Sequence, residues 1–457
     1  MALPFVNYRR RIALTGLGNS GKTVFLTSLL DHLANHSDDL TFQKGAKIES
    51  FSEIPIAAKG IDQFPFTAIK KGIAENHTFP SKTVSESRYR CLLTVRNWRA
   101  SYQLEFLDFP GERFADVWMM GKTYEAWSDA VGECWAQYRI SELDDFERVY
   151  SEPEVSEREC ISAFRRFLAA KVLAFHPHIS PSTFRLGQTP NRPGGTVAHL
   201  KGRTLEALLE SGTFAGVSAE QEFVPLSRRA RELNKHLAAT MATRFNEYKR
   251  RVVEPLFSEL QCCDRLIVLV DIPFLLSAGA NARNENHELL KTMLKAASPV
   301  CGPWEFLKWL SWSWSRVTKV AFVASKSDLV IPADHDRMLS LVKAFIQPHQ
   351  TTLRGMDVGC FTASAVKSTE VLADECDEHF GTLVGKPKYE SVHGQLTKRS
   401  PEMDNTKFRV SRLPDRWPLR AAPNQYAFPE VHPAMPDAAF VPPPHENLGR
   451  VLDFVLR

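Results

Sequence analysis

No stretch of this 457-residue chain reaches the ~18 uncharged apolar residues that a transmembrane helix needs. Nor do residues Met1 to Arg11 hold the apolar centre of a secretory leader, because Arg9-Arg10-Arg11 runs straight into an apolar strand. Cysteine is sparse: there are 8, none in C-x-x-C spacing, with Cys262-Cys263 an adjacent pair. That argues against the common zinc and redox motifs and predicts reduced, buried thiols in a cytosolic protein. A large charge excess of either sign is also missing. With 57 basic and 53 acidic residues the net charge is +4, which predicts no nucleic-acid partner. What is left is a globular composition, 44% hydrophobic and 24% charged, in a chain too long for one core, so two or more units are expected.

Against that background one stretch stands out: Gly16-Leu17-Gly18-Asn19-Ser20-Gly21-Lys22-Thr23, which fits the phosphate-binding pattern G-x-x-x-x-G-K-[ST]. Arg11 to Thr15 ahead of it has strand character, and Val24 to Leu33 behind it has helical spacing. Strand, glycine loop and helix N-terminus is the order the motif requires. The glycines let the backbone wrap a phosphate closely. The amides of Gly18, Asn19, Ser20, Gly21 and Val24 are candidates to face the anion. Lys22 would reach the β- and γ-phosphates, and the Thr23 hydroxyl would bind Mg²⁺.

From Ser37 to Glu86 the chain is polar, and an irregular connection is expected, either a mobile nucleotide-sensing loop or an ordinary surface loop. Tyr89 to Arg96 and Tyr102 to Asp108 read as two strands around a hairpin turn. The second strand ends in Leu107-Asp108-Phe109-Pro110-Gly111-Glu112, a D-x-x-G about 85 residues beyond the glycine loop. Asp108 would belong to the Mg²⁺ sphere, and the Gly111 amide could register a γ-phosphate.

Residues 114–260 change character. Ile161 to Phe175, Thr204 to Leu209 and Ser227 to Leu260 have helical spacing, and Pro177 to Thr196 reads as loop, so a largely helical insertion is expected. Its basic run Ser227 to Arg231 reads as a solvated helix face, with an interaction patch as the alternative. The apolar run Asp264 to Asp271 then predicts a central parallel strand covered on both faces. Asn284 to Ala297 is helical. Trp304 to Trp314 carries four tryptophans in eleven residues; it reads as a helix packed on the core, with docking at a membrane or partner protein as the alternative.

The strand Lys319 to Ala324 leads into Ser325-Lys326-Ser327-Asp328, which resembles the N/T-K-x-D base-recognition motif. The Asp328 carboxylate could accept both N1–H and the 2-amino group of guanine, donors that adenine lacks. The stem of Lys326 would cover one face of the base, and Ser325 stands where asparagine is usual. A helix at Asp336 to Phe345 and a strand at Val358 to Thr362 lead to Ser364-Ala365-Val366-Lys367, an S-A-x-K loop whose Ala365 amide would meet the guanine O6. Short strands at Lys388 to Val392 and Phe408 to Val410, a proline-rich connector from Pro429 to Pro444, and an amphipathic helix at Asn447 to Leu456 complete the chain. Motifs at the C-terminal ends of strands, with helices between, predict a doubly wound sheet whose ligand lies at that edge.

These motifs in this order resemble a translation-factor-related or Ras-like P-loop GTPase, and more closely the YcjX-like family of bacterial stress-associated GTPases. The resemblance implies an α/β P-loop NTPase fold: a doubly wound, mostly parallel sheet (a Ras-like G domain) with a large helical insertion and a small C-terminal mixed extension. The expected parts are residues 1–113 and 261–367 for the G domain, 114–260 for the insertion, 368–444 for the extension and 445–457 for a docking helix. It also implies a cytoplasmic GTP- and GDP-binding protein, using Mg²⁺, associated with stress response and often encoded beside an inner-membrane partner, to which it could be peripheral. The catalytic candidates are Lys22, Glu112 at the position where Ras-like proteins carry a water-orienting glutamine, and Thr83 as the mobile-loop threonine that joins Thr23 and Asp108 at Mg²⁺. Thr78 and Thr67 are alternatives to Thr83. Arg113 is either a cation that screens Glu112 or a surface arginine, and Asn19 is a candidate K⁺ ligand. Two functions stay open: a slow GTPase switch, or a guanine-nucleotide-binding interaction protein with negligible turnover.

Overall fold

Ile12, Ala13 and Leu14 are almost completely buried because the strand that carries them lies inside a sheet. The computed structural model describes residues 6–16, 20–40, 42, 45–56, 62–80, 86–96, 98–109, 116, 119–136, 141–152, 155–175, 221–297, 317–372, 377–392, 395–400, 404–436 and 441–457. They form two units: residues 1–111, 260–279 and 294–457 in the first, and 112–259 and 280–293 in the second.

The first unit is built on a mainly parallel eight-stranded sheet. β1 (Val6–Gly16) pairs in parallel with β5 (Ala100–Asp108) on one side and β6 (Arg265–Val270) on the other. β7 (Lys319–Ser325) and β8 (Asp357–Ala363) extend the parallel set beyond β6. On the far side of β5 comes β4 (Ser87–Val95), antiparallel to it as the hairpin reading expects. The register sets Leu14 beside Asp108, Gly16 beside Leu269 and Ser325 beside Ala363, so five parallel strands end along one edge. This is a mixed α/β architecture consistent with a P-loop-like fold.

The stretch from Ser37 to Glu86 is not the irregular connection its composition predicts. It contains β2 (Ile48–Glu53), antiparallel to β4 at the sheet edge, the two-residue β3 (Asp62–Gln63), and the helix Phe66–Asn76. β2 exposes most of its side chains, and the helix fully buries only Ile73, with Phe66 and Ile69 partly covered. Elements at the rim of a fold need few apolar residues, so their periodicity is too weak to read.

Helix α1 (Lys22–Ala34) and the C-terminal helix (Leu448–Leu456) join the same core cluster as β1, β4, β5, β6 and β7. Phe25, Leu26, Leu29, Leu30 and Leu33 come from α1, and Leu448, Val451, Leu452, Val455 and Leu456 from the last helix. Each such side chain contributes about 1.5–3 kcal/mol by leaving water. The C-terminal helix packs against β7 and β8, with Phe454 and Phe361 rings 5.5 Å apart. β7 buries Val320 and Phe322 as completely as Ala321 and Val323, so it is covered on both faces. Beyond β8 lie an antiparallel sheet of β9 (Thr369–Val371), β10 (Phe380–Gly385) and β13 (Thr406–Ser411), and a hairpin of β11 (Tyr389–Val392) and β12 (Gln395–Lys398).

The second unit is helical among its described residues, with Tyr124–Trp135, Ser141–Tyr150, Glu157–Phe175, Arg228–Leu233 and Lys235–Tyr248 as its main elements. Aromatic rings fill it: Trp127 sits 5.1 Å from Phe245 and 5.5 Å from Phe223, and Trp135 sits 4.8 Å from Phe167. The buried Glu222 pairs with Arg165, and Tyr248 donates to Asp116 at 2.6 Å. In the basic run, Ser227 caps its helix, Arg228 pairs with Glu232, and Arg231 reaches Asp129 at 2.9 Å. These contacts fit a helix face with its own partners. Thr204 to Leu209 and the tryptophan stretch 304–314 lie outside the described residues.

Among the described residues no disulfide forms. Cys91, Cys160 and Cys263 are buried, whereas Cys134, Cys262 and Cys360 are only partly so. No described helix is long and apolar enough to cross a membrane.

Candidate functional site

β1 ends in Gly16, and the chain re-enters the described residues at Ser20, directly before α1. Gly21 caps that helix in the left-handed region, at φ 88°, where a side chain would be strained. The first backbone amides of α1 lack intrahelical acceptors, and they lie at the positive end of the helix dipole. Lys22 is buried and its Nζ donates to the Gly16 carbonyl at 3.0 Å, so the ammonium is turned back toward the end of β1. Ser20 is fully buried and Val24 half-buried in the first turn. Gly18 and Asn19 lie outside the described residues.

Thr23, one residue further, donates from Oγ1 to Asp108 Oδ2 at 3.0 Å. Asp108 is the last residue of β5 and is completely buried. The glycine loop and the D-x-x-G motif therefore meet through the two residues expected to hold a metal. Both are hard oxygen donors, the type Mg²⁺ takes, and Mg²⁺ characteristically draws its remaining ligands from water and substrate phosphates. Thr83, Gly111, Glu112 and Arg113 lie outside the described residues. Thr67 is in the first turn of the helix Phe66–Asn76, and Thr78 lies just beyond it.

The second half of the edge carries the base-side motifs. Asp328 follows β7 in a short helical turn and is buried. Ser364 Oγ donates to its Oδ1 at 2.6 Å and the Ser368 amide to its Oδ2 at 3.0 Å, while Thr369 Oγ1 donates to its carbonyl. Burial holds the Asp328 carboxyl above the usual aspartate range, the two hydrogen bonds offset only part of that rise, and the nearby Glu446 charge adds to it. Ser364 thus acts on Asp328, and the S-A-x-K loop and the S-K-x-D loop form one hydrogen-bonded body. Ala365 and Val366 lie in that body: Val366 O accepts from Ser368 Oγ at 3.1 Å and lies 3.1 Å from Ser364 Oγ, whose proton goes to Asp328, and Ala365 O accepts from Ser28 Oγ of α1 at 2.6 Å. The phosphate helix and the base-side loop are thereby joined.

Lys326 adopts the left-handed conformation, at φ 59°, and its Nζ lies 2.6 Å from Asp271 Oδ2. Asp271 follows β6 and also caps the next helix, accepting the Phe274 amide at 3.0 Å. Ser325 Oγ is buried with no hydrogen-bond partner among the described residues. Sequence reasoning did not assign Asp271, Ser28 or Ser368. An acid closing an apolar central strand, two residues before a proline, was the available signal for Asp271. Ser28 and Ser368 have no local signal, because each is recruited by a partner far away in the chain.

The model of the YcjX-like family, DUF463, matches residues 10–175 and 207–457. The chain belongs to this family. Every described residue of the edge just built lies within the matched segments. Among its relatives, a "Ras-like GTPase YcjX" of Escherichia coli (strain K12) is 25% identical over 402 residues, covering 80% of this chain and 79% of the relative. A second "Ras-like GTPase YcjX", of Shewanella oneidensis, is 23% identical over 433 residues, covering 86% and 85%. As a member of the YcjX-like family, the chain matches the family model on both sides of the stretch 176–206, and it aligns with these two relatives over four fifths or more of its length.

Proposed function

We propose that the chain binds GTP and GDP with Mg²⁺ at the C-terminal edge of the parallel sheet, hydrolyses GTP slowly, and uses loss of the γ-phosphate as a conformational switch in bacterial stress response. The observation that carries this reading is the hydrogen bond from Thr23 to Asp108, which joins the two motifs a nucleotide-bound metal requires. The printed names of the relatives support the same class of activity. In this reading the sheet unit is a G domain of the Ras-like type, interrupted by the helical unit.

The reaction is GTP + H₂O → GDP + phosphate. Lys22 and the loop amides from Gly18 to Val24 hold the phosphates and spread the charge of the transferring group, so no covalent intermediate is required. Mg²⁺, held by Thr23 and Asp108, would neutralise charge between the phosphates. Thr83, or Thr78 or Thr67, would complete that shell only with GTP, and the Gly111 amide would sense the γ-phosphate. Glu112 orients the attacking water. Lys326, Asp328, Ser364, Ala365 and Val366 form the guanine side, with Asp328 accepting two donors from the base. Asn19 is a candidate K⁺ ligand, and equal turnover in K⁺ and Na⁺ removes it. An inner-membrane partner protein belongs to the same reading, and so does recruitment to the membrane itself through the Trp304 to Trp314 stretch. Loss of liposome flotation on replacing Trp309 and Trp312 is its test.

Glu112 favours a second reading, a guanine-nucleotide-binding interaction protein with negligible turnover, because a carboxylate there repels the γ-phosphate. Calorimetric titration of nucleotide-free protein with GDP, GTPγS and ATP, repeated on Asp328→Ala, tests the binding claim. Guanine-specific binding that Asp328→Ala abolishes is expected, and ATP binding as tight as GTP overturns the assignment. Single-turnover hydrolysis, with and without Glu112→Ala, separates the switch from the non-hydrolysing protein.

A further inference from the structure

The base-side loops are closed by a segment far away in sequence. Glu446 lies 119 positions beyond Ser327, and Ser327 Oγ donates to its Oε2 at 2.5 Å. The backbone of Glu446 pairs with that of Ser364 in both directions, its amide donating to Ser364 O at 2.8 Å and its carbonyl accepting the Ser364 amide at 3.2 Å. The bonds continue on both sides: the Lys367 amide donates to Pro444 O at 2.7 Å, and Asn447 Nδ2 donates to Thr362 O at 3.0 Å. Ser327 immediately precedes Asp328, and Ser364 donates to the Asp328 carboxylate. One residue thus holds both neighbours of the proposed guanine acceptor.

We infer that Glu446 is a positioning residue for base recognition: its carboxylate and backbone hold Ser327 and Ser364, and through them set the direction of the Asp328 carboxylate. The inference rests on the proposed guanine-nucleotide site. A carboxylate accepts N1–H and the 2-amino group together only when its plane meets the base edge squarely, so a small rotation turns a two-point contact into one. Ser327 is fully buried, so its hydroxyl, without the Glu446 acceptor, must find another partner or lose a hydrogen bond. Either outcome moves the turn that carries Asp328. The Lys367 ammonium, 3.8 Å from Glu446 and half-exposed, adds little to the hold.

The test measures the affinities of the full chain for GDP, for inosine diphosphate, which lacks the 2-amino group, and for pyrophosphate, alongside thermal unfolding. Glu446→Ala should weaken GDP binding roughly tenfold, the size of one lost charge-assisted hydrogen bond, and shrink the ratio of GDP to inosine diphosphate affinity. Pyrophosphate binding should stay as in the parent chain. Glu446→Gln keeps an acceptor oxygen and should restore the ratio. Ser327→Ala removes the same bond from the other side and should reproduce the Glu446→Ala profile, which covers the case where Glu446→Ala does not fold. An unchanged ratio in folded Glu446→Ala or Ser327→Ala, or equal losses for GDP and pyrophosphate, overturns the inference alone. A parent chain without an Asp328-dependent preference for guanine overturns the functional reading, and the inference with it.

Discussion

Thr23 and Asp108 stand 85 positions apart in the chain and 3.0 Å apart in the fold, joined through Oγ1 and Oδ2. The parallel register of β1 and β5 brings them together, because it sets Asp108 beside Leu14, just below the glycine loop. Under the proposed function, Asp108→Asn and Thr23→Ala should each weaken nucleotide binding in Mg²⁺ about tenfold or more, and change it far less in EDTA. Titration of each variant under both conditions checks this. Equal losses with and without Mg²⁺ would point to a purely structural bond.

Gly16 has a φ of 148°, and a Cβ built on it would lie 2.6 Å from the Leu269 carbonyl oxygen of the neighbouring strand. Backbone atoms in a central strand cannot give way. Gly16→Ala should therefore destabilise the chain by about 1–3 kcal/mol and abolish phosphate binding. Gly72, inside a helix with open space around its Cβ position, is the contrasting case. Gly72→Ala should stabilise by about 0.5–1 kcal/mol, as read by thermal or denaturant unfolding.

Asp271 accepts a helix-capping amide through one oxygen and the Lys326 ammonium through the other. Asp271→Asn keeps the cap and loses the charge, whereas Asp271→Ala loses both. Denaturant midpoints should fall in the order parent, Asn, Ala, with the cap alone worth about 1 kcal/mol. Lys326 is partly exposed, which keeps the ion-pair share small.

His32 and His445 meet edge to face with ring centres 4.3 Å apart, and His32 holds the Pro443 carbonyl at 2.9 Å. Burial lowers the His445 pKa to about 4, with His32 pushing the same way and Asp39 opposing. Burial lowers that of His32 as well. Unfolded, each imidazole titrates near pH 6.5, so below that value the unfolded chain binds more protons than the folded one. Stability should fall as pH drops from about 7 towards 4, and His445→Gln should flatten the slope. Unfolding midpoints across that range measure it, and an unchanged slope would assign the acid sensitivity to other groups.

The sheet edge was legible in sequence because its parts are local. A glycine loop between an apolar strand and a helix, an acid at the end of a strand, and the S-K-x-D and S-A-x-K loops each need only neighbouring residues to be recognised. The rim was not legible. β2 and the helix Phe66–Asn76 bury too little apolar surface to leave a clear period, and Lys70 reaches the buried Asp31 at 2.5 Å without any sequence signal. The stretch Ala280–Met293 groups with the helical unit although it lies in sequence between two strands of the sheet, β6 and β7.

By itself the sequence determined the family, the fold class and the order of strands that end in polar motifs, since glycine freedom, strand apolarity and helix capping all act over a few residues. Only the tertiary structure decided which distant groups complete the site: Asp271 beside Lys326, Ser28 under the Ala365 carbonyl, and Glu446 between Ser327 and Ser364. The reason is physical. A buried hydroxyl, ammonium or carboxylate must find a partner, and it takes whichever the packing of the core brings within 3 Å or so, at any distance along the chain.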